Sequence, residues 1–267
     1  MPQTLPDIQN TLDTRGVALE QVGVSDIKYP ITVLDRAQGK QHTIASLAMS
    51  VSLPHQFKGT HMSRFIEVLS RYRDEFTIQT LPNVLDEMRT RLEAEAARIE
   101  VRFPYFVERS APVSGMKALM DYQCTFIGDS STDSDNFILG VTVPVASLCP
   151  CSKEISDYGA HNQRGDVAIQ VRTTRDAAGE SQLLWIEELI EIAENAASAP
   201  LYPLLKRPDE RYVTMQAYEN PAFVEDITRD VAVQLREDPR VEWFSVQVTN
   251  FESIHNHNAF ASTSWHR

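Results

Sequence analysis

The sequence predicts an α+β protein made of two successive ββααββ modules, each with an antiparallel sheet and both helices on one face. Two observations support this fold class. Apolar residues recur at helical spacing in two pairs of segments, and each pair lies between segments in which apolar and polar residues alternate. Packing both helices on one side of a four-stranded sheet is the simplest way to bury their apolar faces. The predicted limits are an N-terminal arm over residues 1–25, a first module over 26–132 and a second over 133–267.

The first module contains two segments with a helical apolar face. The first face consists of Met62, Phe65, Ile66, Leu69 and Tyr72, and the second, in a helix opened by Pro82, consists of Val84, Leu85, Met88 and Leu92. Alternation predicts strands over 42–53, 99–109 and 117–128. Cys124, in the last of these strands, is interpreted as a small buried hydrophobic residue.

The second module repeats this order of elements. Strands are predicted over 136–148 and 166–174, followed by an exposed turn over 172–182. The next helix ends before Pro200, and its apolar face consists of Leu184, Leu189, Ile190, Ala193 and Ala197. The last helix has Asn220 as its cap and Pro221 as its first residue, and its apolar face consists of Phe223, Val224, Ile227, Val231 and Leu235. Strands over 241–253 and 258–265 complete the module.

Open antiparallel sheets of this kind expose unpaired edge strands, which a protein must protect. Joining modules edge to edge into closed barrels would remove these edges. The predicted fold therefore favours an oligomer.

The composition of the 267 residues argues against several classes of protein. Hydrophobic residues make up 42% and charged residues 23%, which is typical of a soluble globular protein. The net charge of −12 argues against a nucleic-acid binder, and no apolar segment approaches the roughly 20 residues of a membrane span. The polar N-terminus lacks the basic start and apolar stretch of a signal peptide, which predicts a cytoplasmic protein.

Two of the three cysteines flank a proline in the segment 148–165, LCPCSKEISDYGAHNQRG. A disulfide between Cys149 and Cys151 would close a strained ring, and this cysteine count excludes a four-cysteine zinc site within one chain. A metal site with mixed ligands and a single reactive thiol both stay open. If the backbone is extended around Pro150, both thiols point the same way, and His161 follows in a loop. Three such ligands plus water would leave the open metal position that catalysis needs.

Two further segments are dense in charged or titratable residues. Residues 202–214 contain Lys206, Arg207, Asp209, Glu210 and Arg211, which fit either a solvated loop between helices or a carboxylate ligand beside phosphate-binding cations. Residues 250–260 contain Glu252, His255 and His257 at the end of a strand, where the two imidazoles would face the same side. Those imidazoles suit proton transfer near pH 7, metal binding or a solvated strand.

Four motifs in these segments together resemble type IB GTP cyclohydrolase I. They read KGTHMSRF, PCSKEIS-YGAHNQR, LLKRPDE-YVT-AYENP-FVED and NFESIHNHNA, and the resemblance covers nearly the whole chain after the first few dozen residues. It implies a tunnelling fold with two modules per subunit, assembled into a homotetramer of sheet barrels with active sites at subunit interfaces. It also implies that GTP is opened to 7,8-dihydroneopterin triphosphate and formate, the first step of tetrahydrofolate biosynthesis. Gly165 departs from the family pattern, in which serine is common.

The resemblance assigns roles to individual residues. Cys149, His161 and Glu210 would hold one divalent metal, Zn²⁺, Mn²⁺ or Fe²⁺, and no organic cofactor is expected. His255 and His257 would move protons, and Glu252 and Cys151 would lie among the catalytic groups, Cys151 as a nearby hydrogen-bonding thiol.

The substrate-binding residues follow from the same resemblance. Glu225 would accept hydrogen bonds from N1–H and the 2-amino group of guanine, a donor pair that adenine lacks. The candidates for the triphosphate are Lys153, Arg164, Lys206, Arg207, Arg64 and His61, some of them supplied by a neighbouring subunit.

Two alternatives come from other classes of function. An NADPH-dependent nitrile reductase of the same fold would use Cys149 as its nucleophile, form a thioimide and need no metal, so His161 and Glu210 would have no ligand role. A non-enzymatic metal-binding or scaffold protein would enclose its metal completely. The absence of a clear fourth ligand in the motifs argues against that second alternative.

Overall fold

Long antiparallel strands and shorter helices alternate along the chain. The computed structural model describes residues 7–9, 11–72, 80–132, 134–177, 179 and 181–267. The strands are β1 (Leu19–Asp35), β2 (Gly39–Leu53), β3 (Ala96–Ser110), β4 (Lys117–Ser131), β5 (Asp135–Leu148), β6 (Asn162–Thr173), β7 (Ala199–Pro200), β8 (Val241–Asn250) and β9 (Ala259–His266). The helices within those described ranges are α1 (Met62–Arg71), α2 (Leu81–Leu92), α3 (Pro150–Ile155), α4 (Ile186–Ala196), α5 (Arg207–Glu219) and α6 (Val224–Glu237).

The strands form a large sheet in the order β1-β2-β3-β4-β5-β6-β8-β9, and β7 pairs with β5. The chain divides into two compact units, and both β3 and β4 contribute residues to each. The first unit contains the chain up to Phe103 together with Thr125–Phe137, and the second contains Pro104–Cys124 and Ile138–Arg267. The α+β class and the antiparallel sheet are therefore as predicted from the sequence.

The first unit follows the predicted element order, with α1 and α2 between β2 and β3. Alternation in β2 buries every second residue from Thr43 to Leu53. The predicted helical faces are largely correct, since Phe65 and Leu69 of α1 and Val84, Leu85, Met88 and Leu92 of α2 are buried. Met62 and Ile66 of the predicted α1 face are instead exposed. β1 begins at Leu19, so residues 19–25 of the predicted arm belong to the sheet, and the domain limits themselves stay a prediction.

The second unit holds its core between α4, α6 and the strands β5, β6 and β8. Apolar residues of α6, Ile227, Val231 and Leu235, are fully buried, and α6 contacts α4, β8 and β9. A buried ion pair lies in the same unit, where Arg109 donates to Glu194 at 2.6 Å and the Tyr122 hydroxyl donates to the other Glu194 oxygen at 3.1 Å. Burial raises the pKa of Glu194, and the Arg109 charge opposes this shift.

The structure departs from the sequence interpretation of the second module at three points. Residues 207–219 form α5 where a loop was among the interpretations, because Pro208 and the Asp209 carboxylate stabilise a helix N-terminus. Asn220 is the cap at the end of α5, and the following helix begins at Val224 after Phe223. The chain turns into α3 directly after Cys149, because Pro150 occupies a first-turn position that a proline suits.

None of the helices in the described part of the chain combines the length and apolar character that a membrane span requires.

Candidate active site

Cys149 lies where β5 ends and α3 begins. β5 is buried on alternate residues up to Leu148, and Cys149 is the N-terminal cap of α3 with an extended backbone. Its Sγ lies 3.5 Å from the Ser152 backbone nitrogen, which donates to it. The start of α3 therefore holds the thiol in place. Because the thiol is only half-buried, a ligand or substrate can still reach it.

Ser152 joins Cys149 to His161. The Ser152 hydroxyl donates to the Cys149 carbonyl at 3.0 Å and accepts from the His161 backbone N–H at 3.1 Å. The Cys149 backbone N–H donates to the His161 carbonyl at 3.1 Å. These bonds close the loop between α3 and β6, so two of the three predicted metal ligands are brought together by the backbone.

The His161 imidazole has a buried partner. Its Nδ1 lies 3.0 Å from Oε1 of Gln163, a residue of β6 that is 9% exposed, and 3.5 Å from the Ser253 hydroxyl. Gln163 belongs to a sequence motif quoted above, but no role was predicted for it. The available signal is its position two residues after His161, at the start of a segment in which apolar and polar residues alternate.

Glu210 lies in the first turn of α5 and is exposed. The preceding residue, Asp209, is completely buried and anchors the helix. Its carboxylate accepts from the backbone N–H groups of Val113, Ser114 and Lys206 at 2.8 Å each and from the Ser114 hydroxyl at 2.7 Å. Burial opposes its ionisation, but these hydrogen bonds outweigh burial and hold the pKa of Asp209 well below its usual range. The start of α5 is therefore rigidly tied to the turn between β3 and β4.

The predicted metal ligands are not all gathered. Within the described residues no group of three His, Cys, Asp or Glu side chains is close enough to hold a metal ion. The donor chemistry of Cys149 and His161 nevertheless suits a transition metal, because a thiol and an imidazole are carried by two residues whose backbones are hydrogen-bonded to each other. Glu210 stands on a separate element, and its role as a ligand stays a prediction.

Cys151 does not point the same way as Cys149. The expectation required an extended backbone at both positions, but Cys151 lies inside α3 and is exposed. The helical start at Pro150 turns its side chain out of the strand direction. Its predicted role as a hydrogen-bonding thiol beside the site is not tested by these contacts.

The histidine pair lies in the loop after β8. The strand ends at Asn250, so Glu252, His255 and His257 follow it in residues 251–258, where an extended strand end was expected. The two imidazole rings are exposed and stack with centroids 5.1 Å apart. The rings are therefore adjacent, as the two-residue spacing predicted, although the backbone is irregular.

A buried polar joint lies beneath these segments. The Asn250 side-chain amide donates to the Ser147 hydroxyl at 2.9 Å, and that hydroxyl donates to the Ala222 carbonyl at 3.1 Å. The Ala222 N–H in turn donates to the Leu148 carbonyl at 3.1 Å. We call Ser147, Asn250 and Ala222 the polar joint, because it ties together the strand end before Cys149, the histidine loop and the turn before α6. Sequence analysis missed all three residues.

Glu225 is the second residue of α6 and is exposed. The neighbouring Asp226 caps the helix by accepting from the Phe223 N–H at 3.1 Å. Because Asp226 performs the capping, the Glu225 carboxylate is left to face solvent beside the turn that the polar joint holds.

The predicted phosphate-binding cations differ in what their charges already contact. The Lys153 ammonium donates to the Tyr218 carbonyl and lies 4.3 Å from the centre of the Tyr218 ring, so it ties α3 to the end of α5. Lys206, Arg207 and Arg164 are exposed. A groove of about 560 Å³ runs along α5 and is lined in part by Arg207, Arg211 and Tyr212.

His61 and Arg64 belong to the first unit and are engaged there. His61 caps α1, and its Nε2 lies 3.3 Å from the Asp7 carboxylate. Arg64 donates to the Arg91 carbonyl at 2.7 Å. Their predicted contact with a substrate stays a prediction.

Comparison with known proteins gives both a family and a fold. The model of a family described as Type I GTP cyclohydrolase folE2 matches residues 5–261. GTP cyclohydrolase FolE2 of Syntrophus aciditrophicus is 53% identical over 255 residues, covering 96% of this chain and 97% of the relative. GTP cyclohydrolase FolE2 of Citrifermentans bemidjiense is 53% identical over 259 residues, covering 97% and 94%.

Two solved uricase structures resemble the fold. The uricase from Bacillus fastidious has a TM-score of 0.56 at 9% identity and covers 93% of this chain and 94% of its own. The uricase from Arthrobacter globiformis has a TM-score of 0.53 at 12% identity, with 93% of each chain covered. At such identities the likeness concerns the fold alone, and it confirms the predicted tunnelling-fold class.

Proposed function

The chain belongs to the FolE2 family of type I GTP cyclohydrolases, and from this premise we propose which of its residues carry the reaction. It is a GTP cyclohydrolase, which hydrolytically opens the imidazole ring of the guanine in GTP. The products are 7,8-dihydroneopterin triphosphate and formate, and the reaction is the first step of tetrahydrofolate biosynthesis. The alternatives of a nitrile reductase and a scaffold protein find no support in these relatives.

The observation that carries the site assignment is the backbone link between Cys149 and His161. With Glu210 they would hold one divalent ion, since a thiolate, an imidazole and a carboxylate suit Zn²⁺, Mn²⁺ or Fe²⁺. When bound, the ion would supply Lewis-acid activation of the water that attacks C8 of guanine. The Ser152 N–H holds the Cys149 thiol, and the Ser152 hydroxyl holds the backbone of His161, before any ion binds.

His255 and His257 would transfer protons to the guanine nitrogens as the ring opens. Their rings are exposed and stacked with centroids 5.1 Å apart, so both imidazoles can be presented to the substrate from one loop. Glu252, half-buried at the start of the same loop, would be a further catalytic group there.

Glu225 would recognise the guanine base. Its exposed carboxylate can accept from N1–H and the 2-amino group together, and Asp226 leaves it free of a capping role. Lys206, Arg207 and Arg164 would bind the triphosphate because their charged ends are exposed. Lys153 would contribute mainly by tying α3 to α5.

A homotetramer assembled from sheet barrels would complete the site. β1 and β9 end the strand order, and each carries exposed apolar residues, among them Leu19 at 47% and Phe260 at 69% exposure. Pairing these edges between subunits would cover them. His61 and Arg64 would then reach the triphosphate from a neighbouring subunit, after giving up their present partners.

The decisive experiment is reconstitution of metal-free protein with Zn²⁺, Mn²⁺ or Fe²⁺ in the presence of GTP. Neopterin fluorescence after oxidation and released formate are measured together. We expect activity that depends on the metal, that disappears in Cys149→Ala, and that persists in the exposed α3 control Glu154→Gln. Metal-independent activity, or full activity of Cys149→Ala, would refute the proposed site. Sedimentation at the assay concentration tests the tetramer.

A further inference from the structure

The Gln163 side chain, near the start of β6, lies against the imidazole of His161, the residue that directly precedes the strand. We propose that Gln163 is a positioning residue that fixes the tautomer and the orientation of His161, so that Nε2 is presented as the metal donor. This inference rests on the proposed function, because it assumes that His161 holds the ion. In this role Gln163 acts on the ion only through His161.

The chemistry of the contact sets the tautomer. The group that faces Nδ1 at 3.0 Å is the side-chain oxygen of Gln163, and an amide oxygen can only accept a hydrogen bond. The proton of the neutral imidazole is therefore held on Nδ1. The lone pair then remains on Nε2, which is the form that a metal ion requires.

Gln163 is itself held firmly. It is 9% exposed, and its backbone is paired opposite Ser147 in the β5–β6 ladder, one residue from the pairing of Leu148 with Asn162. Burial and strand pairing therefore keep the Gln163 side chain beside the imidazole. The polar joint fixes Ser147 from the other side.

A second polar group approaches the same nitrogen. The Ser253 hydroxyl lies 3.5 Å from Nδ1, at the limit of a hydrogen bond, and Ser253 is exposed in the histidine loop. Because a hydroxyl can donate as well as accept, Ser253 cannot by itself define the tautomer. A Ser253→Ala variant is therefore a matched control for the effect of substituting Gln163.

A purely structural role for Gln163 makes a different prediction. If the side chain only fills space, an apolar residue of similar size should serve equally well. Gln163→Met keeps the size but removes the acceptor, whereas Gln163→Glu keeps an acceptor. Loss of such an outer hydrogen bond typically weakens metal binding about 10–100-fold.

The experiment measures Zn²⁺ affinity of the metal-stripped full chain by competition with a chromophoric chelator, and the absorption bands of the Co²⁺ form. We expect Gln163→Met to bind at least about tenfold more weakly with shifted Co²⁺ bands, and Gln163→Glu and Ser253→Ala to stay within about threefold of wild type. His161→Ala should lose most of the affinity. Thermal unfolding shows which variants are folded. If Gln163→Met is not folded, Gln163→Asn replaces it, because the shorter side chain moves the amide oxygen away from Nδ1.

The outcomes separate this inference from the function on which it rests. Wild-type affinity in the folded Gln163→Met or Gln163→Asn variant, with loss in His161→Ala, would overturn the role of Gln163 and leave the metal site standing. Wild-type affinity in His161→Ala would overturn both. Equal weakening in Gln163→Met and Gln163→Glu would also overturn the inference, because the effect would then follow packing and not the acceptor.

Discussion

Removing the Ser147 hydroxyl should destabilise the protein and impair catalysis together. Ser147 is 1% exposed and Asn250 3% exposed, so Ser147→Ala leaves the Asn250 amide without its partner in a buried position. The half-buried Ala222 carbonyl loses its donor as well. An orphaned buried polar group costs about 1–3 kcal/mol, and we assign about 1 kcal/mol to the Ala222 carbonyl because it is only half-buried. The two together give about 2–4 kcal/mol of lost unfolding free energy.

Asn250→Ala should cost less than Ser147→Ala. The Ser147 hydroxyl can still donate to Ala222 in that variant, and the Asn250 side-chain oxygen, buried without a hydrogen bond to any described residue, is removed. We expect a loss of about 1–2 kcal/mol for Asn250→Ala. The double variant should lose less than the sum, because both changes remove the same hydrogen bond.

Urea unfolding at one fixed protein concentration measures these differences, with Ser264→Ala on the exposed face of β9 as the control. Cyclohydrolase activity of the folded fraction is assayed in parallel, since the polar joint holds the segments that carry Cys149 and the histidine loop. A Ser147→Ala variant within about 0.5 kcal/mol of wild type would refute the reasoning. If the free energy of unfolding falls by the expected amount and the activity is unchanged, the polar joint stabilises the fold without positioning the site.

Three further changes have expected outcomes. Ser152→Ala should weaken Zn²⁺ binding about tenfold in a chelator competition, because its hydroxyl joins the two ligand-bearing segments. Arg109→Met should cost about 3–5 kcal/mol at pH 7 in urea unfolding. The loss should shrink toward pH 5, since the pKa of Glu194, already raised by burial, rises further without the cation, so stability falls as pH increases above the ordinary value of 4.5. Glu225→Gln should raise KM for GTP at least about tenfold, unlike Glu237→Gln on the same helix, because one oxygen can no longer accept from guanine.

Apolar periodicity predicted the helices that bury an apolar face and failed for α3 and α5, which do not. α2 and α6 each bury residues at helical spacing, and both were predicted as helices. In α5 the buried residues are Asp209 and Ala217, so the helix has no apolar stripe to detect. Its sequence signal was instead Pro208 followed by an acidic first turn, the pattern of a helix N-terminus.

The interpretation of Pro150 shows a related limit. The sequence allowed an extended backbone around Pro150. Proline disrupts the interior of a helix, whereas at the first helical position its missing N–H costs nothing. The two uses cannot be separated without knowing where the preceding strand ends. Because β5 ends at Leu148, Pro150 stands at the first position of α3. Cys149 therefore precedes the helix and Cys151 lies inside it, so their side chains differ in direction.

The contacts that organise the site join residues far apart in the chain. The bonds of the polar joint span 75 and 103 residues, and no local pattern specifies them. Gln163 lies two residues from His161, but its importance depends on burial that only the paired strands create.

Formal charge alone is also an incomplete guide to which residues bind phosphate. Arg64 and Lys153 already donate to backbone carbonyls, so binding a triphosphate would require them to exchange those bonds, whereas Arg207 stands exposed beside the α5 groove. Substituting Arg207 should therefore weaken GTP binding with little loss of stability, whereas substituting Lys153 should reduce both.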